Sequence, residues 1–594
     1  MSRGARSTAL VLLLTLLGCR SKARDTRPQA GATSASASAS AGSPGRFAPL
    51  REWALAEARG LEATCATLAQ AADEARWGDA RTAYAEARRR SRRLDPLVRR
   101  LAPLASSQLG AYNFFEPEEA NPLAGLGAVG GLLRAPSPDQ ASLRTATRKL
   151  QQAARLLPGE LATHEWIPRE VGHSLSEGVY VLGARLDGSD SFDEDERWRD
   201  ARAEVEGLGE VLARTGIELS ADDRSVRDRA LGTLVAMTTA PTPRPSMLAA
   251  LDATAQLGAL VRRTFEQAGS PPLASPFKAR HDRGLGRLAP VSALTFPMLP
   301  GAPPDAADVA LGRALFSSTL LSRTHTVACA SCHDAAHGYA HADPPTVTFD
   351  RKVPPRNAPG LWNAAYEPFL FWDGRASTLE NQIDVAVDRD MGGDWPKVVQ
   401  TLAADPAIAP LAGPEPLTPA RVRHAIVAFE RTLIEDGTRL DRAVRGELAL
   451  DPDESRGLDL FAGKARCSRC HRPPLLSGTV PPRFLRAELS SIGPPTRPDG
   501  HSLGTDTGRH EASHEEGDRG MFKAPGLRRV AETAPYFHHG GFRTLEQVVD
   551  FYVKGGGPGL GIDVPNVDPE LRPVDLSPAE RADLLVFLRR TLSR

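Results

Sequence analysis

Cys329-Ala330-Ser331-Cys332-His333 and Cys467-Ser468-Arg469-Cys470-His471 are two copies of one pattern, C-x-x-C-H, and the reading of the whole chain starts from them. Thiols three residues apart lie about one helical turn from each other, so both can bond the vinyl groups of a single porphyrin. The histidine that follows then reaches the iron from the proximal side. Taken singly, each copy is also compatible with a redox dithiol, a zinc site or a disulfide. Together they hold four of the six cysteines. Covalent attachment of two c-type haems, through Cys329 and Cys332 with His333 and through Cys467 and Cys470 with His471, accounts for both. Haem of this kind is attached outside the bacterial cytoplasm, so the chain is expected to be exported.

The N-terminus agrees with export. Arg3 and Arg6 precede a nearly unbroken apolar run over 9–17, too short to span a bilayer as a helix but suited to a signal-peptide core. Leu16-Leu17-Gly18-Cys19 resembles a bacterial lipobox, in which the cysteine is lipidated and becomes the first mature residue. An ordinary signal peptide with a chance cysteine is the alternative. A lipid anchor, at about 0.8 kcal/mol per buried methylene, would tether a periplasmic or cell-envelope protein to its membrane. Residues 1–18 are therefore expected to be a lipoprotein signal peptide. Residues 19–46, with their Ala-Ser repeat, are expected to be a linker that cannot bury a core.

At 594 residues the chain is too long for one core. Lys+Arg and Asp+Glu both number 73, so the formal net charge is zero and nothing points to a nucleic-acid partner. Residues 47–280 read as a helical domain of unknown role. The stretch 55–94 is rich in Ala, Arg, Glu and Leu, and 142–157, 193–215 and 247–268 repeat apolar residues at helical spacing. Cys65 reads as a buried apolar residue, and His164 and His173 as structural or solvated. Residues 80–90 with Asn121-Pro122-Leu123 faintly resemble the imelysin-like helical domain, most of whose motif residues are missing here.

A Pro-rich connector at about 281–300 leads to a first haem domain, 281–450, and a second, 451–594. Each opens with a helix ending in a Leu-Phe pair, Leu315-Phe316 and Leu460-Phe461, ahead of its C-x-x-C-H. Ser577-Pro578-Ala579-Glu580 is a capping box with proline at the first helical position. The expected fold is all-α: two cytochrome c-like haem domains preceded by a separate, bundle-like helical domain.

From about residue 305 onward the chain resembles the bacterial di-haem cytochrome c peroxidase and MauG family. The matching segments are Leu311-Gly312-Arg313-Ala314-Leu315-Phe316, Arg356-Asn357-Ala358-Pro359, Phe371-Trp372-Asp373-Gly374-Arg375-Ala376, Phe522-Lys523-Ala524-Pro525 and Thr533-Ala534-Pro535-Tyr536-Phe537-His538. The resemblance implies an oxidoreductase that reacts with hydrogen peroxide and spreads two oxidising equivalents over both haems. The first haem would be the peroxide site and the second the electron-transfer haem. Trp372 matches the tryptophan between the haems, with a core aromatic as the alternative. Gln382 matches a distal glutamine. Asn357, Thr533 and Pro535 match the positions that hold a calcium ion, one side-chain oxygen and two carbonyls suiting that hard cation. Electrons would come from a small cytochrome c or cupredoxin, or a protein substrate would be oxidised. The alternative is a di-haem electron carrier without peroxidase activity.

Three departures from the family pattern matter. A glutamate usually precedes the distal Met; here the segment is Asp388-Arg389-Asp390-Met391, with Asp390 the nearest counterpart and Asp388 its competitor for the acid–base role. Where many members place a histidine that caps the first iron, this chain has Phe349; His337 and His341 read as surface or second-shell residues. The sixth ligand of the second haem is a Met fourteen residues after the motif histidine in the peroxidases and a tyrosine in MauG. That position is Tyr552 here, and no Met follows His538. Thr544 and Gln547 form a capping box, and Leu545, Val548, Val549 and Tyr552 then share one helical face. A core tyrosine packed at the porphyrin edge is the alternative.

Overall fold

A computed structural model describes residues 45–109, 125–186, 194–239, 246–270, 304–340, 347–473, 475–480 and 486–594. The expected signal peptide with Cys19, Asn121-Pro122-Leu123, the connector over 281–300 and His341 lie outside them. Among the described residues, no helix is long and apolar enough to cross a membrane.

The described residues before 270 form the helices Ala48–Asp73, Trp77–Leu101, Pro103–Leu109, Gly125–Leu133, Gln140–Thr163, Pro168–Leu186, Glu194–Arg214, Ala221–Thr239 and Met247–Gln267 and the short turns beside them. The helix-forming stretch 55–94 is not one rod. It turns back at Glu74-Ala75-Arg76, with Ala75 in the left-handed region at φ 54°. Small residues make the return possible: Ala54, Ala58, Cys65 and Ala72 are buried along the first helix. Cys65 is fully buried and burial pushes its thiol up to about 12. His173 is buried too, and desolvation holds its ring below its ordinary value.

The two haem segments share one frame. Helix Ala306–Ser317 packs on Pro419–Glu430, and helix Pro452–Ala462 packs on Pro578–Val586 and the turn Phe587–Thr591 that continues it. A glycine sits at each crossing, four residues before a phenylalanine. A Cβ on Gly312 would run into the Ala425 carbonyl oxygen, and one on Gly457 into that of Asp583. The paired phenylalanines correspond: Phe316 meets Phe429 at 5.2 Å between ring centroids, and Phe461 meets Phe587 at 5.0 Å. The Leu-Phe repeat read from sequence thus extends to a Gly-x-x-x-Phe repeat with a backbone-close crossing in each half.

The fold is mostly helical but not purely so. Two antiparallel ribbons of two-residue strands occur in the second haem segment, Thr479–Val480 against Arg486–Ala487 and Leu489–Ser490 against Phe522–Lys523. They clip loops together where no helix satisfies the backbone. The N-terminal helices do not stand apart from the rest. One contiguous apolar core runs from Leu50, Leu97 and Leu257 to Leu458, Phe461 and Phe587, whereas Leu311, Phe316, Ile383 and Phe429 belong to a second core. Polar contacts cross the first of these junctions: Arg197 Nη1 donates to the Ala462 carbonyl at 3.2 Å, and the Met247 amide to Asp459 Oδ1 at 2.7 Å.

Candidate haem sites

The second C-x-x-C-H motif opens onto about 2200 Å³ of unfilled space, part of it open to solvent and mostly apolar in lining. Cys467, Cys470 and His471 line it, and so does Tyr552. Tyr552 gets there because helix Leu545–Val553 forms behind the Thr544/Gln547 capping box and turns one face inward. Leu545, Val548, Val549 and Tyr552, at i, i+3, i+4 and i+7, all line the cavity. Gly555, at φ 90°, ends the run. Burial pushes the Tyr552 phenol well above its ordinary value, with Cys470 and Cys467 close enough to add to the shift.

The two proximal histidines are held alike. His471 Nδ1 lies 2.9 Å from the Pro525 carbonyl oxygen and His333 Nδ1 lies 2.8 Å from that of Tyr339. A carbonyl only accepts, so Nδ1 carries the proton and Nε2 presents its lone pair, the arrangement a ligating imidazole needs. Burial brings His471 down to about 4, which keeps the ring neutral. Burial also raises the thiols of Cys329 and Cys467 to about 12 and that of Cys470 to about 11. A redox dithiol requires the opposite shift, toward thiolate. Cavity, thiols and tautomers together fit covalently held porphyrins.

Trp372 stands on the wall of the same cavity, 8% exposed. Its indole Nε1 donates to the Asn357 carbonyl at 2.7 Å, and the His538 ring meets it edge-on at 6.5 Å. His538 in turn stacks on Phe522 at 3.7 Å. Asn357, Thr533 and Pro535 converge on this wall. The Asn357 amide lies 2.6 Å from the Pro535 carbonyl oxygen. Its Nδ2 donates and the carbonyl accepts.

Cys329, Cys332 and His333 do not line this cavity. The Phe316 ring lies tilted against that of His333, 6.4 Å between centroids. Helix Leu379–Arg389 buries Ile383 and Val387 in the core that also packs against Cys329. Gln382 is half-buried on that helix, and Asp390 caps its C-terminus. Burial raises the Asp390 carboxyl, against the opposing pull of Arg375 and Arg389. Its competitor Asp388 is exposed. Phe349 lies against the same turn: its amide donates to the Asp390 carbonyl at 3.1 Å, its ring closes on Gly392, and the Arg323 guanidinium covers it at 4.3 Å. His337 is exposed and bonds Asp334 at 2.7 Å.

Sequence reasoning passed over two groups. Glu430 is buried at 5% exposure beside Cys329 and Glu380, and burial, reinforced by Glu380, raises its carboxyl to about 8. A lone acid closing the apolar run Ala425-Ile426-Val427-Ala428-Phe429 was its only signal. Arg356 donates to Asp506 through Nε and Nη2, both at 2.6 Å, and also pairs with Asp373 and Glu511, joining the two haem segments.

Residues 306–449 match the family model for di-haem cytochrome c peroxidase. The chain is 35% identical over 288 residues to methylamine utilization protein MauG of Methylorubrum extorquens, an overlap of 47% of this chain and 76% of that protein. It is 32% identical over 282 residues to cytochrome c551 peroxidase of Pseudomonas aeruginosa, covering 46% of this chain and 78% of the relative. A crystal structure of a MauG-like protein associated with microbial copper homeostasis aligns with 50% of this chain and 93% of its own, at 28% identity and a TM-score of 0.45.

Proposed function

Since the chain belongs to the di-haem cytochrome c peroxidase and MauG family, and is an oxidoreductase of that class carrying two c-type haems, we propose that it reacts with hydrogen peroxide at a permanently open first haem and shares the oxidising equivalents with a Tyr-ligated second haem. The haems supply the redox chemistry; the protein supplies ligands, a proton carrier and a relay. The observation that carries this reading is the meeting of His471 and Tyr552 in one cavity with Trp372 on its wall.

Each residue has a defined part. His333 and His471 present Nε2, their Nδ1 protons held by carbonyls. Asp390 takes the proton from one peroxide oxygen and returns it to the other, with Gln382 orienting the substrate. Phe349 occupies the turn where a capping histidine would stand and offers no ligand. Trp372 carries electrons between the sites, its N–H fixed on the Asn357 carbonyl. Asn357, Thr533 and Pro535 hold calcium at the seam. Residues 47–280, 281–450 and 451–594 would act as a helical region and two haem domains, the first docked on the third. The anchored, exported location read at Cys19 belongs to this proposal. An electron carrier without peroxidase activity is the competing reading.

Stopped-flow mixing of the holoprotein with hydrogen peroxide, alone and then with reduced cytochrome c, tests it. A rapid spectral change without prior reduction is expected. Fast turnover with cytochrome c marks a peroxidase; a long-lived oxidised state marks oxidation of a protein substrate. Two six-coordinate haems inert to peroxide would overturn the reading.

A further inference from the structure

Beside the second haem motif, and sharing Arg466, Arg469 and Arg572 with the haem cavity, lies a second recess of about 650 Å³, part of it open to solvent. Three segments build it: Arg197 from the N-terminal helix Glu194–Arg214, Lys464, Arg466 and Arg469 from the loop running into Cys467 and Cys470, and Arg572 and Asp575 from the stretch before the last helix. Five cations thus face one lining carboxylate. Two of them are spent on neighbours, Lys464 on Glu580 at 2.8 Å and Arg469 on Glu570. Arg197 donates to the backbone carbonyls of Ala462 and Leu186.

Arg466 is the telling residue. It is a non-glycine held in the left-handed region at φ 58°, immediately before Cys467. Its Nη2 donates to the Arg572 carbonyl at 3.2 Å, while its Nη1 is buried without a hydrogen-bond partner among the described residues. A buried guanidinium N–H left without an acceptor costs about 1–3 kcal/mol, more when charged. An orphaned donor at a cationic pocket is satisfied by an acceptor that brings negative charge.

We propose that this pocket is an oxyanion site, taking a carboxylate or phosphate group on Arg466 and Arg572 with Arg197 behind them, at the edge of the second haem. Guanidinium forks suit such planar or tetrahedral anions. Arg466, Arg469 and Arg572 also line the haem cavity, so the anion sits where its charge stabilises the oxidised haem. Because Arg197 comes from the helical region, the site exists only while that region is docked. The oxyanion has two possible sources, a free anion or the carboxylates of the second haem itself.

The test uses the full-length holoprotein with inorganic phosphate as probe, in wild type, R466A, R466K and R572A. Calorimetry reads binding and a spectroelectrochemical titration reads the midpoint potential of the second haem. Saturable phosphate binding that lowers the potential, weakened about tenfold or more in R466A and R572A and retained in R466K, assigns the site to a free anion. Phosphate without effect, but a lower potential in R466A that R466K restores, assigns it to the haem's own carboxylates. If R466A does not load haem, R572A, whose side chain is exposed, carries the comparison. Phosphate without effect and unchanged potentials in the variants would overturn the proposal. Neither readout depends on peroxide turnover, so the outcome stands apart from that of the proposed function.

Discussion

Changing Glu430 to Gln should remove a pH dependence of stability that the buried acid imposes. The Glu430 side chain is buried, its Oε2 has no hydrogen-bond partner among the described residues, and Glu380 adds a like charge nearby. Burial first, and then Glu380, raise its carboxyl from 4.5 to about 8. The folded state therefore holds the proton more tightly than the unfolded state. Stability from this group is complete below the unfolded value and is lost as pH rises toward the folded one. At pH 7 the unfolded carboxyl is ionised and the folded one is not. Over the two and a half pH units from 4.5 to 7 the slope climbs toward about 1.4 kcal/mol per unit, so the group withdraws roughly 3 kcal/mol across that range. The assay is denaturant unfolding of wild type and Glu430→Gln at pH 4.5, 6, 7 and 8. Subtracting one from the other cancels the remaining titrating groups. The variant should be nearly isostable at pH 4.5 and about 3 kcal/mol more stable by comparison at pH 7. A difference that does not change with pH would refute the reasoning and require an acceptor or cation beside Glu430.

Oxidised protein should show one high-spin haem without prior reduction, because Phe349 supplies no ligand; an absorption or EPR spectrum with both haems six-coordinate would contradict this. Asp390→Asn should slow the peroxide reaction by about 100- to 10,000-fold in stopped flow. Since burial raises Asp390 above its ordinary 3.8 and only the carboxylate accepts a proton, the wild-type rate should fall with decreasing pH at a value above 3.8, and that limb should vanish in the variant. Tyr552→Phe should change the coordination spectrum of the second haem and leave the first unaltered. An unaltered second-haem spectrum would make Tyr552 a wall residue and remove the main support for MauG-like chemistry.

What the sequence reveals divides by range. Haem attachment is a local covalent demand, so C-x-x-C-H declares itself. The same holds for helix Leu545–Val553, whose cap, inward face and stop are written within a dozen residues. The hairpin at Glu74-Ala75-Arg76 has no glycine or proline to announce it, because Ala75 enters the left-handed region unaided. Two-residue strands are too short for alternation to register. The carbonyls of Tyr339 and Pro525 orient both proximal histidines, yet a carbonyl belongs to every residue and marks none. Arg356 meets Asp506 across 150 positions, a pairing that no window along the chain contains. The merging of the N-terminal helices with the second haem segment is of the same kind: periodicity shows that Leu257 and Phe461 face inward but not that they face one core.

The internal repeat explains why the halves of one frame differ chemically. In each half a glycine lets two helices touch backbone to backbone, and a phenylalanine four residues on meets a phenylalanine of the partner helix. The residue after that second phenylalanine holds the corresponding position in each half. In the second half it is Leu588, which lines the haem cavity. In the first half it is Glu430, close enough to Cys329 to raise its thiol. An apolar wall in one half is thus answered by a buried, proton-holding acid in the other, with Glu380 of the helix that carries Gln382 and ends at Asp390 near it. The second half receives Tyr552 and a cationic edge instead. One changed wall residue and one added tyrosine make the halves chemically different without altering the helix crossing on which both are built.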